Sequence, residues 1–332
     1  MDWSRLELGV RITTLGGSAC AGVTADGDAV LARLDTADPV ATPVAGVLLD
    51  SFGVLGVAVH EGRALTGRGQ DGRLCLWRLD GSEDPGRPQE HPLDPAGTMW
   101  AAPVPGGCAP RLLASYAGEG AWWLRVDLLE ADGVTARGRE LRLGGPPDGT
   151  VSYAVHGTGL VVVAGAIGDG PAPAAAWVIE TGDPRRRHVE ETDWRRVHLA
   201  PTPSELSAVA SNAGGRRTWM AGRVDDRPVV HELLPLPFRG LMRSHPVSLP
   251  ALVLAPEAVD GPLRPVVLVS GGRGDHPVLV VATTAGNRLC WPGPDGWKAH
   301  PVPDGRVGGA CFGGSRVHVL VDGSVWSLPD PT

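Results

Sequence analysis

The residues with the clearest chemical potential are carboxylates that recur at one kind of place. Asp26, Asp71, Glu119, Asp169, Asp225 with Asp226, and Asp322 each sit in a short polar turn, most of them next to Gly, between two apolar runs. Gathered on one face, such a set could hold a cation or draw in a basic partner. Turn chemistry alone also selects these residues, because Asp and Gly tolerate the positive φ that a two-residue hairpin turn requires. The densest basic cluster is Arg185-Arg186-Arg187-His188, with Arg195 and Arg196 following. Guanidinium forks match carboxylate and phosphate. Glu190, Glu191 and Asp193 offset much of this charge, so a solvated loop is the plain reading.

Other motifs stop short of a catalytic constellation. The run Gly271-Gly272-Arg273-Gly274-Asp275-His276 is Gly-rich, yet it lacks the Lys-Ser/Thr of a phosphate loop and opens no helix. The 10 His are dispersed. His60, His156, His231 and His318 fall in or at the ends of strand-like runs, with no metal-ligand spacing among them. No G-x-S-x-G occurs. No cofactor or metal is implied, and a site would have to be assembled from distant segments.

The elements that must position these residues are strands. Gly (47) and Pro (31) are abundant in a chain of 332 residues that is 42% hydrophobic. Many turns between short apolar strands satisfy both facts, whereas each Gly or Pro inside a helix costs roughly 1–3 kcal/mol. The formal net charge of −7 opposes general nucleic-acid binding, which needs a basic footprint. Of the 30 basic residues only Lys298 is a lysine, the bias of a high-GC bacterial genome. Cys20, Cys75, Cys108, Cys290 and Cys311 form no C-x-x-C and lie mostly in apolar runs, as buried free thiols of a reducing compartment would. No apolar signal region follows Met1, and the longest apolar runs, such as 278–282, are too short to span a bilayer. A cytoplasmic, soluble monomer without nucleic-acid or membrane contacts is expected.

Self-similarity orders the chain. A unit of four short strands recurs: one rich in Ala, Val and Gly, one apolar and ending in an acidic turn, one carrying Trp or another large residue, and one more polar. The second unit is the clearest, with strands at 54–60, 64–69 and 73–79, where alternation at Leu74 and Leu76 marks a sheet strand. The units span about 9–46, 47–97, 98–149, 150–201, 202–250, 251–303, and 304–332 taken together with 1–8. The last unit lacks a fourth strand of its own. Asp193-Trp194-Arg195-Arg196-Val197-His198-Leu199 closes the fourth unit, and Asp2-Trp3-Ser4-Arg5-Leu6-Glu7-Leu8 repeats its order of residue types. The N-terminal segment is therefore read as the missing strand. Residues 251–263, with Glu257 and Asp260, read as an inserted loop on the face of the acidic turns.

This pattern predicts an all-β fold: a single-domain, seven-bladed β-propeller of four-stranded blades, closed by pairing the N-terminal strand into the last blade. Trp77, Trp123, Trp177, Trp291 and Trp326 would fill the space between blades, each burying on the order of 150–250 Å².

The run Leu74-Cys75-Leu76-Trp77-Arg78-Leu79-Asp80 resembles the third-strand ending of WD40 repeats, and the whole organisation is similar to WD40-like propellers over nearly the entire chain. The Gly-His dipeptide that opens a WD40 unit and the strict Trp-Asp pair are absent. Trp3, Trp194, Trp297 and Asp71-Gly72-Arg73-Leu74 also resemble features of bacterial propeller lectins. The fold hosts many functions, so the resemblance implies function by analogy only. The leading expectation is a non-enzymatic scaffold that binds a protein or peptide, a basic one, on the face carrying Asp26, Asp71, Glu119, Asp169, Asp225 and Asp322. Arg185, Arg186 and Arg187 would lie on the opposite face. The alternatives are a biosynthetic enzyme with a channel-mouth site built from several blades, and a carbohydrate-binding propeller with pockets walled by fourth-strand Trp.

Overall fold

The structure is a computed structural model that describes residues 2–49 and 276–331 almost without a break and, between them, the strands with a few flanking residues. The described residues contain no helix and form seven open, antiparallel, four-stranded sheets. Strand β1 (Ser4–Arg5) belongs to the last of them. The first sheet is β2 (Arg11–Gly16), β3 (Ala19–Val23), β4 (Asp28–Arg33) and β5 (Thr42–Leu48). The second is β6 (Val54–His60), β7 (Gly62–Arg68), β8 (Leu74–Arg78) and β9 (Gln89–Glu90). The third is β10 (Thr98–Ala102), β11 (Arg111–Gly118), β12 (Ala121–Leu129) and β13 (Thr135–Gly144). The fourth is β14 (Val151–His156), β15 (Gly159–Ala164), β16 (Ala175–Ile179) and β17 (Trp194–Val197). The fifth is β18 (Glu205–Ser211), β19 (Thr218–Val224), β20 (Arg227–Leu234) and β21 (Arg243–His245). The sixth is β22 (Arg264–Ser270), β23 (Pro277–Thr283), β24 (Gly286–Gly293) and β25 (Gly296–Pro301). The seventh is β26 (Val307–Gly313), β27 (Arg316–Val321) and β28 (Ser324–Pro329), with β1 outermost.

Strand β5 runs two residues past the unit boundary expected at 46. Val47 and Leu49, both nearly inaccessible, hold the chain to the sheet there. Pro43 is tolerated because β5 is an edge strand, where a missing amide costs no ladder bond.

Alternation along the strands sends successive side chains to opposite neighbours. On β23, Val278 and Val280 join a cluster with Val317, Val319, Val321 and Leu328 of the seventh sheet. Leu279 and Val281, the residues between them, join Trp219, Ala221 and Val230 of the fifth. On β19, Met220 turns the other way and packs with Ala176 and Leu199 of the fourth. The first sheet likewise meets Cys75 and Trp77 of the second. On its other side Ile12, Cys20, Ala32 and Leu34 meet Cys311, Leu320 and Val325 of the seventh. The core is thus a series of apolar layers between sheets, and one layer joins the last sheet to the first.

Of the Trp residues expected between blades, Trp77 and Trp291 are buried in these layers and Trp326 packs at the edge of one. Trp123 is half-buried, and the Trp177 side chain lies outside the described residues. Trp219, on a second strand, is an additional buried anchor.

The N-terminal strand is fixed by main chain and side chain together. Ser4 faces Ser327 and Arg5 faces Trp326. The Leu6 amide donates to the Val325 carbonyl (2.9 Å), as Leu49 does to Gly27 (3.0 Å) and Val302 to Asn287 (2.9 Å) at the ends of the first and sixth sheets. Arg316 donates through Nε to Ser327 Oγ (2.5 Å) and through a terminal nitrogen to Ser4 Oγ (3.1 Å). Ser4 Oγ donates to the Ser327 carbonyl (3.2 Å). Trp3 reaches beyond the sheet, and its Nε1 donates to the carbonyl of Pro301 on β25 (2.7 Å).

Candidate functional site

The chain crosses from the outermost strand β1 to the innermost strand β2 through residues 6–10. It passes over the ends of two turns, Thr24–Gly27 between β3 and β4 and Asp322-Gly323 between β27 and β28. The Ile12 amide bonds to the Gly323 carbonyl (2.9 Å) and the Leu8 amide to the Leu6 carbonyl (3.0 Å), which set the path of this segment. Gly9 supplies the positive φ (67°) that bends it. Between the segment and the turns lies a cavity of about 1060 Å³. Arg5, Glu7, Arg11 and Asp26 line it, all exposed, and none has an ion-pair or side-chain hydrogen-bond partner. Half-buried Leu8 and Val10 add an apolar strip.

The two described members of the acidic set differ in what their carboxylates do. Asp26 is free and exposed in its turn, which is held instead by Thr24: the Asp28 amide donates to Thr24 Oγ1 (3.1 Å) and the Thr24 amide to the Asp28 carbonyl (2.9 Å). Asp322 sits at φ 47° and accepts from the Arg306 amide through Oδ1 (3.0 Å), while its own amide donates to the Arg306 carbonyl (3.1 Å). It clamps the linker that leads from the sixth sheet to the seventh. Asn287 holds that linker from the other side, donating through Nδ2 to the Gly305 carbonyl (2.8 Å). Asp71, Glu119, Asp169, Asp225, Asp226, Arg185, Arg186, Arg187 and the 251–263 insertion lie outside the described residues.

Arg5, Glu7 and Arg11 form part of the cavity without any motif to mark them. The sequence clue was indirect: an outer strand at 2–8 obliges the chain to cross the sheet ends to reach the next inner strand. The charge of the cavity wall is mixed rather than acidic.

Other reactive groups are sealed in. Cys20, Cys75, Cys290 and Cys311 are buried free thiols. Burial pushes Cys20 and Cys290 up to about 12 and raises Cys311 as well, which keeps them protonated and unreactive. His231 and His318 are about 1% exposed; neither ring nitrogen of His231 has a hydrogen-bond partner, while the main chain of Gly313 and Leu34 lies against His318. Burial lowers His231 to about 4 and lowers His318 too. Among the described residues no three His, Cys, Asp or Glu side chains converge as a metal ion would need. Trp3 and Trp297, named for the lectin reading, are half-buried against apolar layers between sheets, and the Trp194 side chain lies outside the described residues.

Four-stranded antiparallel sheets stacked through apolar layers define a β-propeller, and the chain resembles the WD40-like kind. No family model matches it, and no curated protein does. Solved structures do. The β-propeller domain of Cps50 (Swd1) from Myceliophteria thermophila superposes with a TM-score of 0.60 at 13% identity, covering 94% of each chain. Sqt1 from Chaetomium thermophilum gives 0.54 at 13% identity, covering 98% of this chain and 97% of that one. A functionally unknown protein from Desulfotomaculum acetoxidans gives 0.52 at 14% identity, covering 88% and 84%. At such identities the likeness is one of fold.

Proposed function

We propose that the chain is a single-domain, seven-bladed propeller, closed by its N-terminal strand, that serves as a non-enzymatic scaffold binding a protein or peptide on the face of the second-to-third strand turns. The observation that carries the reading is the open cavity on that face, bordered by the unpaired charges of Arg5, Glu7, Arg11 and Asp26. Ring closure is supported by the apolar layer between seventh and first sheets and by the pairing of β1 with β28. Action as a cytoplasmic monomer is part of the proposal, and the buried free thiols agree with a reducing compartment.

The test is an affinity pull-down with the full chain beside a variant in which Asp26, Asp71 and Asp169 are changed to Asn. Asp322 is left intact because its carboxylate holds a linker. A partner that rebinds the wild type in saturable fashion after purification, and binds the variant more weakly, is the expected result. Equal capture by both removes the acidic turns from the reading. Absence of any partner that rebinds removes the scaffold itself.

A further inference from the structure

The segment over the sheet ends carries more than charge. The amides of Leu6, Leu8 and Ile12 all have acceptors, whereas those of Glu7 and Gly9 have none. Two unused donors therefore stand two residues apart on an exposed main chain beside the cavity. The Leu8-to-Leu6 bond and the positive φ of Gly9 bend the main chain here, so each donor offers a single contact to a carbonyl of a bound peptide rather than a strand edge.

The side chains narrow the class of ligand. Arg5 and Arg11 border the cavity together with Glu7 and Asp26, and all four are without partners. Phosphate-rich ligands would meet two carboxylates, and a purely basic one would meet two guanidinium groups. The volume, about 1060 Å³, is at or beyond the upper end of the roughly 300–1,000 Å³ of small-molecule pockets. A polypeptide is the one common ligand that combines main-chain carbonyls, both signs of charge and apolar side chains for Leu8 and Val10.

We infer that the cleft between the crossing segment 6–10 and the Thr24–Gly27 turn binds an extended peptide bearing an acidic side chain, paired with Arg11, and a basic one, paired with Asp26. This rests on the scaffold reading and names its site and the chemistry of its ligand. The Arg11 stem lies over Gly323, where an added Cβ would come within 3.0 Å of its Cγ, and its side chain lines the cleft.

Panning a phage-displayed random 12-residue library on the full chain, followed by fluorescence polarisation with the consensus peptide, tests the inference. The consensus is expected to contain both an acid and a base. Arg11→Glu should weaken it at least tenfold, and changing the peptide's acid to Lys should restore binding to that variant. Asp26→Lys should weaken it likewise and be rescued by the opposite exchange. Arg11→Gln, the milder change, serves if Arg11→Glu fails to fold. A consensus peptide that binds these variants as well as the wild type overturns the cleft and leaves the scaffold reading standing. A consensus of one charge sign, or no enrichment at all, overturns the inference, and the pull-down then decides the scaffold separately.

Discussion

Two imidazoles are buried, His231 of them without a hydrogen-bond partner, and their cost depends on pH. His231 has a folded-state value near 4 against about 6.5 when unfolded, because burial disfavours the charged ring. The unfolded chain therefore binds the proton more readily. Stability is complete above pH 6.5 and is lost as pH falls from there to about 4, by roughly 3 kcal/mol. Urea unfolding of the wild type and His231→Leu at pH 7 and pH 4 should show the wild type losing that much more than the variant. His318 acts in the same direction. The acidic turns give a second contrast. Asp322→Ala removes the acceptor for the Arg306 amide and puts a Cβ residue without a local hydrogen bond at φ 47°, so a loss of about 1–3 kcal/mol is expected. Asp26→Ala, with no bond to lose, should stay within about 0.5 kcal/mol. The sequence pattern treats these two Asp residues alike. They differ because a linker lies against one and open space against the other, and neither neighbour is near in sequence.

Strand identity was legible where the sequence carries a continuous apolar run. Strand β6 occupies the 54–60 read from its apolar run, and β7 and β8 lie within two residues of the 64–69 and 73–79 read beside it. The outer strands β5 and β9 were seen only as Pro-rich or polar stretches, since an edge strand needs no continuous apolar pattern and β9 pairs through just two residues. The strand that was legible against this trend is β1, through its likeness to 193–199. Its worth can be measured. Deleting residues 2–8 removes Leu6 and Leu8 from the layer between seventh and first sheets and bares the edge of β28. For two half-buried Leu side chains a loss of about 2–3 kcal/mol is expected, with a lowered melting temperature and faster association. Unchanged melting would mean that β1 contributes nothing to the sheet. The same layer has a tight point at Gly313, where an added Cβ would come within 2.5 Å of the Leu34 carbonyl oxygen. Gly313→Ala should cost about 1–3 kcal/mol by forcing the two sheets apart, which thermal melting would detect.

The layer between the seventh and first sheets decides how the whole molecule is tied. In an open stack the first and last sheets would each present one apolar face to water. Ile12, Cys20, Ala32 and Leu34 pack with Cys311, Leu320 and Val325, the contact on which the proposed closure rests. Because Ser4 faces Ser327 and Arg5 faces Trp326 in antiparallel register, residues 2 and 3 run beside 328 and 329, and the two ends of the chain come together on one strand pair. A circular permutant follows from that geometry. Joining 332 to 1 through a short Gly-Ser linker and opening the chain between Pro303 and Asp304 makes β26, β27, β28 and β1 consecutive. It also leaves every sheet pairing and every apolar layer intact. The permutant is expected to give the wild-type circular dichroism spectrum and to unfold in one transition within about 1–2 kcal/mol of the wild type, the difference coming from loop entropy and from the cut linker. Arg316→Ala in the parent, by contrast, removes the bonds that tie Ser4 and Ser327, and should destabilise the parent more than the permutant, in which β1 is already tethered to β28. Equal losses from Arg316→Ala in both, or a permutant that fails to fold while the parent is stable, would show that the ring is not fastened through its N-terminal strand.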